Sequence, residues 1–352
     1  MVLKYKKPTV PDRWVRETKL SLGISAREAD GSLAYSTSKP NPIAGKVIVL
    51  TGSTTGLGYE IAITCAENGA ECIVMLNRAS ERAEKALRDV RAAAANSESD
   101  VKVFGVDCDL MSFESVREAA VKVNEICKDR IDVLILNAGI MAFPFDSTVD
   151  GYDVQMQTNV LSHFLLCQQL FAKVLRSADG RVVSQSSLAA KTGPLRAESF
   201  LKTPDCTKWT KNTWDIYGQT KLSNLVFAEG LQNRLDAASI KNVQSFGVHP
   251  GISATELQVT TSDNPGPYGD TILGCLPYVL SFQSPADGAL PTLLAAFGGD
   301  DVVVAGANYG PGKFLELRGA PRRVKPNKFV HDKAVDILWR GCEAAVGVAF
   351  TL

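Results

Sequence analysis

The chain of 352 residues is 45% hydrophobic and 22% charged, a composition typical of globular proteins that bury a core without disulfides or metals. Its 38 Lys and Arg residues balance 38 Asp and Glu residues, and since binding to nucleic acid by charge needs a basic excess, we expect no nucleic-acid partner. The longest near-apolar segment, residues 272–282, is far shorter than the ~20 residues that cross a bilayer. The N-terminus has no apolar signal segment, and the eight scattered Cys and three His form no metal-binding spacing. These features predict a cytoplasmic protein with reduced cysteines, no metal site and no transmembrane segment.

The character of the chain changes near residue 45. Residues 1–45 are rich in Pro and Ser and show little periodicity, which predicts an N-terminal extension. Beyond them, short apolar segments alternate with amphipathic ones.

This alternation predicts the fold. The predicted strands cover 46–51, 71–76, 101–106, 131–136, 181–186 and 242–248. The predicted helices cover 57–67, 80–95, 113–128, 150–176, 215–235, 284–297 and 331–346. Strands and helices in this order predict an α/β fold in which a single domain, residues 46–352, has a doubly wound parallel sheet covered on both faces. Ligands of such sheets bind beyond the carboxyl ends of the strands.

A glycine-rich turn joins the first predicted strand to the first predicted helix. Such a turn can bind a dinucleotide diphosphate, because glycine has no Cβ to block the approach and the helix N-terminus offers free N–H groups. The turn is therefore predicted to form the diphosphate site of a Rossmann fold. Its predicted cofactor contacts are Gly52, Ser53, Thr54, Thr55, Gly56, Leu57 and Gly58. The alternative is a tight turn that binds no ligand.

The end of the second predicted strand bears on the choice of dinucleotide. NAD sites usually have a carboxylate about 20 positions after the glycines, where it binds the ribose 2′-hydroxyl. Asn77 and Arg78 occupy that place here, and because a guanidinium binds a phosphate with two hydrogen bonds, they predict NADP(H) as the cofactor. The alternative for Arg78 is an ordinary surface arginine. Asp109, after the third strand, is predicted either to accept from the adenine amino group or to cap the helix that begins near Ser112.

Three Tyr-x-x-x-Lys pairs are candidates for a proton donor beside a hydride acceptor. On a helix the two side chains share a face, and the ammonium would lower the tyrosine pKa from about 10 toward the working pH. The pairs are Tyr35 and Lys39, Tyr217 and Lys221, and Tyr309 and Lys313. In the first pair, Lys39 is followed directly by a proline, and in the third pair, Tyr309 is followed by Gly-Pro-Gly. Neither segment is therefore predicted to be helical. The second enters a helical pattern, which favours Tyr217 as the proton donor.

Further polar residues lie near the same predicted site. Ser186 and Ser187 end the fifth predicted strand, where a hydroxyl can hold a substrate oxygen next to Tyr217. Asn159 lies on the apolar stripe of helix 150–176, which indicates either a satisfied core amide or a link in a proton relay to the lysine.

Together these residues resemble the short-chain dehydrogenase/reductase family, over residues 46–341. The matching segments are Thr51-Gly-x-x-x-Gly-x-Gly58, Asp109-Leu110, Asn137-Ala138-Gly139, Asn159, Ser187, Tyr217-x-x-x-Lys221 and His249-Pro250-Gly251. The catalytic tetrad that the resemblance implies is Asn159, Ser187, Tyr217 and Lys221. The cofactor contacts that it implies, besides the glycine-rich turn, are Asp109, Leu110, Asn137, Ala138, Gly139, Tyr217, Lys221, Gly251, Ile252 and Thr255. His163 and His249 are interpreted as structural.

A narrower resemblance rests on three features: the 30 positions from Ser187 to Tyr217, the segment Tyr217-Gly-Gln-Thr-Lys-Leu-Ser-Asn224, and the segment Tyr309-Gly-Pro-Gly-Lys-Phe-Leu. All three resemble the retinol dehydrogenase and protochlorophyllide reductase-like branch. That branch commonly uses NADP(H), and the wider family commonly forms homo-oligomers. The chain departs from the family pattern at Leu136, before the Asn-Ala-Gly turn, and at Ser184, in place of an Asn.

The substrate prediction comes from two apolar and aromatic segments, residues 188–216 and 252–283. Placed over the cofactor, they predict a pocket for a lipophilic substrate; the alternative is that they pack on the domain. The sequence therefore predicts an NADP(H)-dependent oxidoreductase that transfers hydride between the nicotinamide and a bulky lipophilic ketone, aldehyde or secondary alcohol. The alternatives are an NADPH-dependent reductase of enone C=C bonds and a non-catalytic NADPH-binding scaffold.

Overall fold

A single eight-stranded sheet forms the centre of the protein. The computed structural model describes residues 10–28, 30, 32–34, 39–254 and 283–352. The strands in chain order are β1 (Ala26–Arg27), β2 (Leu33–Ala34), β3 (Val47–Thr51), β4 (Cys72–Asn77), β5 (Lys102–Asp107), β6 (Val133–Leu136), β7 (Gly180–Gln185), β8 (Val243–Val248), β9 (Asn308–Lys313) and β10 (Arg318–Arg323). The first two form a small separate ribbon, and the others form the sheet in the order β10-β9-β8-β7-β6-β3-β4-β5.

The pairing within this sheet is parallel except at one edge, where β9 and β10 pair antiparallel. The predicted doubly wound α/β fold with a parallel sheet is confirmed, but the prediction does not include the antiparallel edge strands β9 and β10. It missed both strands because Gly310-Pro311-Gly312 interrupts the apolar pattern. A proline is tolerated there, since Pro311 lies beyond Asn308 and Tyr309, the β9 residues that pair with β8.

Helices cover both faces of the sheet. In chain order they are α1 (Val15–Ser21), α2 (Gly56–Glu67), α3 (Glu81–Ala95), α4 (Phe113–Ile126), α5 (Val154–Met156), α6 (Ser162–Val174), α7 (Thr213–Ala237), α8 (Pro285–Phe297) and α9 (Asp332–Val346). Successive strand residues point to opposite faces, so Val47 and Val49 pack with α4, α6, α7 and α9, whereas Ile48 and Leu50 pack with α2, α3 and α8. The cysteines in the described part of the chain are buried and free of disulfides.

The strand order places a ligand crevice at one edge of the sheet. From β3 the chain proceeds outward through β4 to β5, and from β6 it proceeds outward the other way, so the order reverses between β3 and β6. The connections that leave these two strands diverge, and a crevice opens at their carboxyl ends. None of the helices in the described ranges is long and apolar enough to cross a membrane.

Asp287 ties the N-terminal extension to the domain. Its buried carboxylate, on α8, accepts from the backbone N–H groups of Arg13 at 3.0 Å and Trp14 at 2.9 Å, at the start of α1. Further along α1, the Lys19 ammonium donates to Thr64 Oγ1 at 2.8 Å, and burial lowers the pKa of Lys19. The described part of the extension therefore packs on the domain.

We expect Asp287→Ala to lower the free energy of unfolding by about 1–3 kcal/mol, because it leaves partly buried N–H groups without their acceptor. Asp301→Ala is the matched control, since Asp301 also attaches the extension, but through an exposed ion pair with Lys39 of a kind that contributes about 0–1 kcal/mol. Urea denaturation of both variants measures the difference. Equal stability of the two variants would contradict the anchoring role of Asp287.

Candidate active site

The glycine-rich turn lies where β3 meets α2, and two of its glycines have no room for a side chain. Gly52 has a φ of 70°, and a Cβ there would lie 2.7 Å from the Ala138 Cα atom. A Cβ on Gly58 would lie 2.3 Å from the Gly52 carbonyl oxygen and 2.6 Å from Asn137 Nδ2. The first turn of α2 therefore packs directly against the peptide groups that follow β3.

Two asparagines hold this turn from opposite sides. Asn137 Nδ2 donates to the carbonyl oxygens of Thr51 and Gly52 at 3.0 and 2.9 Å. Asn77 Oδ1 accepts from the Ser53 N–H at 2.8 Å, and Asn77 Nδ2 donates to Ser53 Oγ at 3.0 Å. Asn77 was predicted only as a cofactor contact, and its side chain also supports the turn.

The N-terminus of α2 fits a phosphate group. Thr55, which precedes this helix, is extended, and within the described structure its side chain caps none of the helix N–H groups. Those N–H groups are left for a ligand, and residues 54–57 are partly exposed beside them. The residues of this turn therefore fit a dinucleotide diphosphate.

Arg78 is available to bind a ligand at the same edge. It directly follows β4, one position after Asn77, and its side chain is exposed. Among the residues that the structure describes, no carboxylate forms an ion pair with its guanidinium. Its position agrees both with a 2′-phosphate contact and with an ordinary surface arginine.

Asp109 and Leu110 form the turn between β5 and α4. Asp109 Oδ1 accepts from the Met111 N–H at 2.9 Å, whereas the cap of α4 is Ser112, whose Oγ accepts from the Ser115 N–H at 3.3 Å. The hypothesis that Asp109 caps this helix is therefore wrong. Leu110 is buried, and Asp109 stays partly exposed.

Helix α7 brings Tyr217 and Lys221 together, and each residue is only 3% exposed. Lys221 Nζ lies 5.7 Å from the centroid of the Tyr217 ring and donates to the Gln185 carbonyl oxygen at 3.1 Å. The Ser187 side chain acts on the Tyr217 hydroxyl and favours its ionised form. The four polar atoms thus lie at the carboxyl end of β7.

The two remaining Tyr-x-x-x-Lys pairs have other surroundings. Tyr309 and Lys313 lie in strand β9, where residues four apart are about 13 Å apart. The buried Tyr309 hydroxyl accepts from the Val304 N–H at 2.7 Å. Tyr35 lies outside the described residues.

Burial shifts the pKa values of Tyr217 and Lys221 in opposite directions. It raises the pKa of Tyr217 to about 12, against a smaller opposite effect of the Ser187 side chain. It lowers the pKa of Lys221 to about 8. That Lys221 lowers the pKa of Tyr217 stays a prediction, and burial of the phenol acts in the opposite direction. Tyr217 is therefore a protonated phenol at neutral pH.

The two serines at the end of β7 have different surroundings. Ser186 Oγ donates to the Lys221 carbonyl oxygen at 2.6 Å, which ties the end of β7 to α7. Ser187 is partly exposed, and its Oγ caps a short 3-10 helix, Leu188–Lys191. Ser187, and not Ser186, is the hydroxyl that acts on Tyr217.

The helix predicted over 150–176 is interrupted at its polar residue. A π-helical turn, Gln157–Leu161, separates α5 from α6 and contains Asn159. Such turns insert one extra residue into a helix and are frequent at functional sites. The sequence does not reveal this turn, because the apolar residues around it keep helical spacing.

Asn159 uses its side chain fully within the protein. Its amide accepts from the Ile140 N–H and donates to the Ile140 carbonyl oxygen, both at 2.9 Å, and donates to Thr220 Oγ1 at 3.0 Å. A Cβ on Gly139 would lie 3.1 Å from Asn159 Oδ1 and 3.2 Å from Lys221 Nζ. Asn159 is therefore a satisfied amide that also borders the lysine, so the two sequence interpretations are compatible.

His163 supports the base of the site. Its Nε2 lies 2.9 Å from Thr51 Oγ1, and its Nδ1 lies 3.1 Å from the Asn159 carbonyl oxygen. Thr51 Oγ1 already accepts from the N–H groups of Asn137 and Ala138, both at 3.0 Å, so its own O–H donates to Nε2 and the ring proton lies on Nδ1. Burial lowers the pKa of His163 to about 4, so the ring is neutral.

Sequence reasoning missed two residues inside the tyrosine motif. A Cβ on Gly218 would lie 2.4 Å from Thr192 Oγ1, so the insert after β7 packs directly on α7. Gln219 Oε1 accepts from the Arg196 N–H at 2.8 Å, and its Nε2 donates to the Pro194 carbonyl oxygen at 2.9 Å. The signal in the sequence for this close packing is Gly218, a glycine within a helical pattern.

The apolar residues of segment 188–216 divide between two roles. Leu195 and Phe200 are buried, as the alternative of packing on the domain expects. Trp214 lies edge-on to the Tyr217 ring, with 6.0 Å between the ring centroids. An aromatic side chain of this segment therefore reaches the candidate site.

The predicted nicotinamide contacts are only partly described. Thr255 lies in segment 255–282, outside the described residues. Gly251 and Ile252 are partly exposed beyond the end of β8, and the Ile252 N–H donates to the Leu317 carbonyl oxygen at 2.9 Å.

Comparisons of sequence show the family to which the chain belongs. Residues 46–199 match the family model of the short chain dehydrogenases. Retinol dehydrogenase 13 of Homo sapiens is 33% identical over 270 residues, which make up 76% of this chain and 76% of that protein. Retinol dehydrogenase 12 of Mus musculus is 30% identical over 84% of this chain and 87% of that protein.

Comparisons of structure give the same result. An uncharacterized protein from Mycobacterium Paratuberculosis superposes with a TM-score of 0.67 and 30% identity, over 88% of this chain and 96% of that one. A short chain dehydrogenase from Burkholderia cenocepacia, solved in complex with NADP, shares the fold with a TM-score of 0.56 and 21% identity, over 76% of this chain and 96% of that one. The chain belongs to the short-chain dehydrogenase family of NAD(P)-binding oxidoreductases of alcohol and carbonyl groups, in the branch of the retinol dehydrogenases.

Proposed function

We propose that the protein is an NADP(H)-dependent oxidoreductase that transfers hydride between the nicotinamide and a bulky lipophilic ketone, aldehyde or secondary alcohol. The catalytic group in this proposal is Asn159, Ser187, Tyr217 and Lys221. The observation that carries it is the buried Tyr217 phenol, which lies 5.7 Å by its ring centroid from the buried Lys221 ammonium at the carboxyl edge of the sheet.

The residues that would hold the dinucleotide fit its chemistry. The turn from Gly52 to Gly58 would hold the diphosphate, and Arg78 would bind a 2′-phosphate. The turn from Asn137 to Gly139 and the loop from Gly251 to Thr255 would contact the nicotinamide half. When bound, NADPH supplies the hydride that the protein itself lacks.

The side chains would supply the proton. Ser187 Oγ holds the carbonyl oxygen of the substrate, and Tyr217, protonated below a pKa of about 12, donates its proton to that oxygen. Lys221, charged below a pKa of about 8, stabilises the phenolate that remains. Asn159, which borders Lys221, would pass a replacement proton through water.

Support for a lipophilic substrate is of two kinds. Trp214 lies against the Tyr217 ring and offers an apolar wall beside the proton donor. Two relatives described above are named for retinol, a long apolar alcohol. We therefore propose that residues 188–216 and 252–283 form the substrate contacts.

We expect Tyr217→Phe to bind NADPH as the unmodified protein does but to lose about 10²- to 10⁴-fold in turnover, because the proton donor is removed. Tyr309→Phe is the matched control, since it alters a buried tyrosine of a second Tyr-x-x-x-Lys pair, away from the site. Steady-state rates with a panel of lipophilic carbonyls and NADPH measure both variants. Equal turnover in the two variants would contradict the assignment of Tyr217 as proton donor, whereas no turnover in the unmodified protein would support the non-catalytic scaffold.

An enone substrate distinguishes carbonyl reduction from C=C reduction. Ser187 and Tyr217 are neighbouring hydroxyls that can meet on one substrate oxygen, which favours attack at the carbonyl carbon. The allylic alcohol is therefore the expected product, and the saturated ketone would support the C=C reductase.

We expect Arg78→Ala to lower the affinity for NADPH by about 10- to 100-fold and to leave that for NADH unchanged, because it removes a charge-assisted contact with the 2′-phosphate. Arg88→Ala, an exposed arginine on α3, is the control and changes neither affinity. Fluorescence titration of both dinucleotides measures this. Equal losses for NADPH and NADH in Arg78→Ala would contradict the assignment.

A further inference from the structure

Glu316 connects two segments that flank the candidate site. It lies between β9 and β10, and its Oε2 accepts from Lys191 Nζ at 2.7 Å and from His249 Nε2 at 3.1 Å. Lys191 ends the serine turn (residues 187–191), and His249 begins the histidine turn (residues 249–252), which directly follows β8. We propose that Glu316 is a positioning residue that holds the serine turn and the histidine turn at a fixed separation. The inference rests on the proposed function, in which these turns meet the substrate oxygen and the nicotinamide.

The backbone that carries Glu316 is strained. Phe314, Leu315 and Glu316 have φ values of 48°, 56° and 68°, in the left-handed region that residues with a Cβ rarely adopt. Such a conformation persists where the surrounding contacts enforce it, and it is concentrated at functional sites. Phe314 and Leu315 are 61% and 90% exposed, whereas the Glu316 side chain is 15% exposed. The turn therefore directs the carboxylate into the protein.

His249 transmits the position of this carboxylate to the backbone. Its Nδ1 accepts from the Gly251 N–H at 3.3 Å. The tautomer with its proton on Nε2 makes this bond and also donates to Glu316. A Cβ on Gly310 would lie 2.2 Å from His249 Nε2, so β9 packs directly against the ring. The ring therefore has little freedom to move independently of Glu316.

The histidine turn is also bonded to the same hairpin by its backbone. The Ile252 N–H donates to the Leu317 carbonyl oxygen at 2.9 Å. The buried Gln283 accepts from the Gly319 N–H at 2.8 Å and donates to the Pro250 carbonyl oxygen at 2.7 Å. The hairpin and the histidine turn thus form one assembly, which Glu316 links to the serine turn through Lys191.

The charge of Glu316 strengthens both links. Hydrogen bonds from His249 and Lys191 lower the pKa of Glu316 to about 2, although partial burial acts in the opposite direction. The carboxylate is therefore ionised at neutral pH, and hydrogen bonds to an ionised acceptor are stronger than neutral ones. A glutamine of the same shape would keep an acceptor oxygen and remove the charge.

The test compares Glu316→Gln with Leu315→Ala, which changes an exposed neighbour in the same turn. The readout is the hydrogen exchange rate of backbone amides in the serine and histidine turns of the full chain without substrate. We expect Glu316→Gln to raise exchange in both turns about tenfold and to lower kcat/KM about tenfold, with turnover still dependent on Tyr217. Leu315→Ala is expected to change neither quantity.

Lys191→Met provides a second variant, and because the Lys191 side chain is 51% exposed, we expect the substitution to leave the fold intact. It is expected to raise exchange in the serine turn alone. Exchange rates equal to those of the unmodified protein in folded Glu316→Gln, or in Lys191→Met, would overturn the proposal. Because exchange needs no substrate, a protein without carbonyl reductase activity would refute the proposed function and leave this result standing.

Discussion

The buried ammonium of Lys221 is the constraint on which the site depends. Lys221 is 3% exposed and therefore loses most of its hydration. Within the described residues its Nζ atom donates to the Gln185 carbonyl oxygen and to no carboxylate. Burial alone lowers its pKa to about 8. An unneutralised cation of this kind is unfavourable for the folded protein, and it is suited to stabilise the negative charge that develops on Tyr217 and on a substrate oxygen. The cost to stability and the catalytic benefit therefore have the same origin.

The groups around Lys221 are polar but uncharged, so they position it without cancelling its charge. Asn159 and Gly139 border its Nζ atom, while the neutral ring of His163 links Asn159 to Thr51 beneath the glycine-rich turn. These residues come from β3, the turn after β6, the π-helical turn and α6, which meet where the strand order reverses. The topology of the sheet thus brings the anion-binding turn and the buried cation to one edge.

Much of this arrangement could be predicted from the sequence. The parallel strands are buried on both faces and therefore appear as short apolar segments, and Tyr217 could be chosen because proline and glycine exclude the other two pairs from helices. The sequence does not predict the antiparallel edge strands β9 and β10, because the proline at 311 argues against a strand. Proline is compatible with a strand only where the neighbouring strand needs no N–H group from it. The π-helical turn at Asn159 keeps an ordinary apolar stripe, and the rise in the pKa of Tyr217 depends on burial, which no motif encodes. Glu316 is separated from the serine turn by more than a hundred residues and has no local signal.

The pH dependence of kcat/KM for NADPH tests the central claim most directly, because this quantity reports the ionisations of the free enzyme. With Lys221 ionising at about 8 and Tyr217 at about 12, carbonyl reduction should be level below pH 8 and should fall above it as Lys221 loses its proton. Lys221→Arg keeps the positive charge throughout this pH range, so the kcat/KM of this variant should stay level above pH 8. A profile without this decline, or one that Lys221→Arg leaves unchanged, would contradict the account.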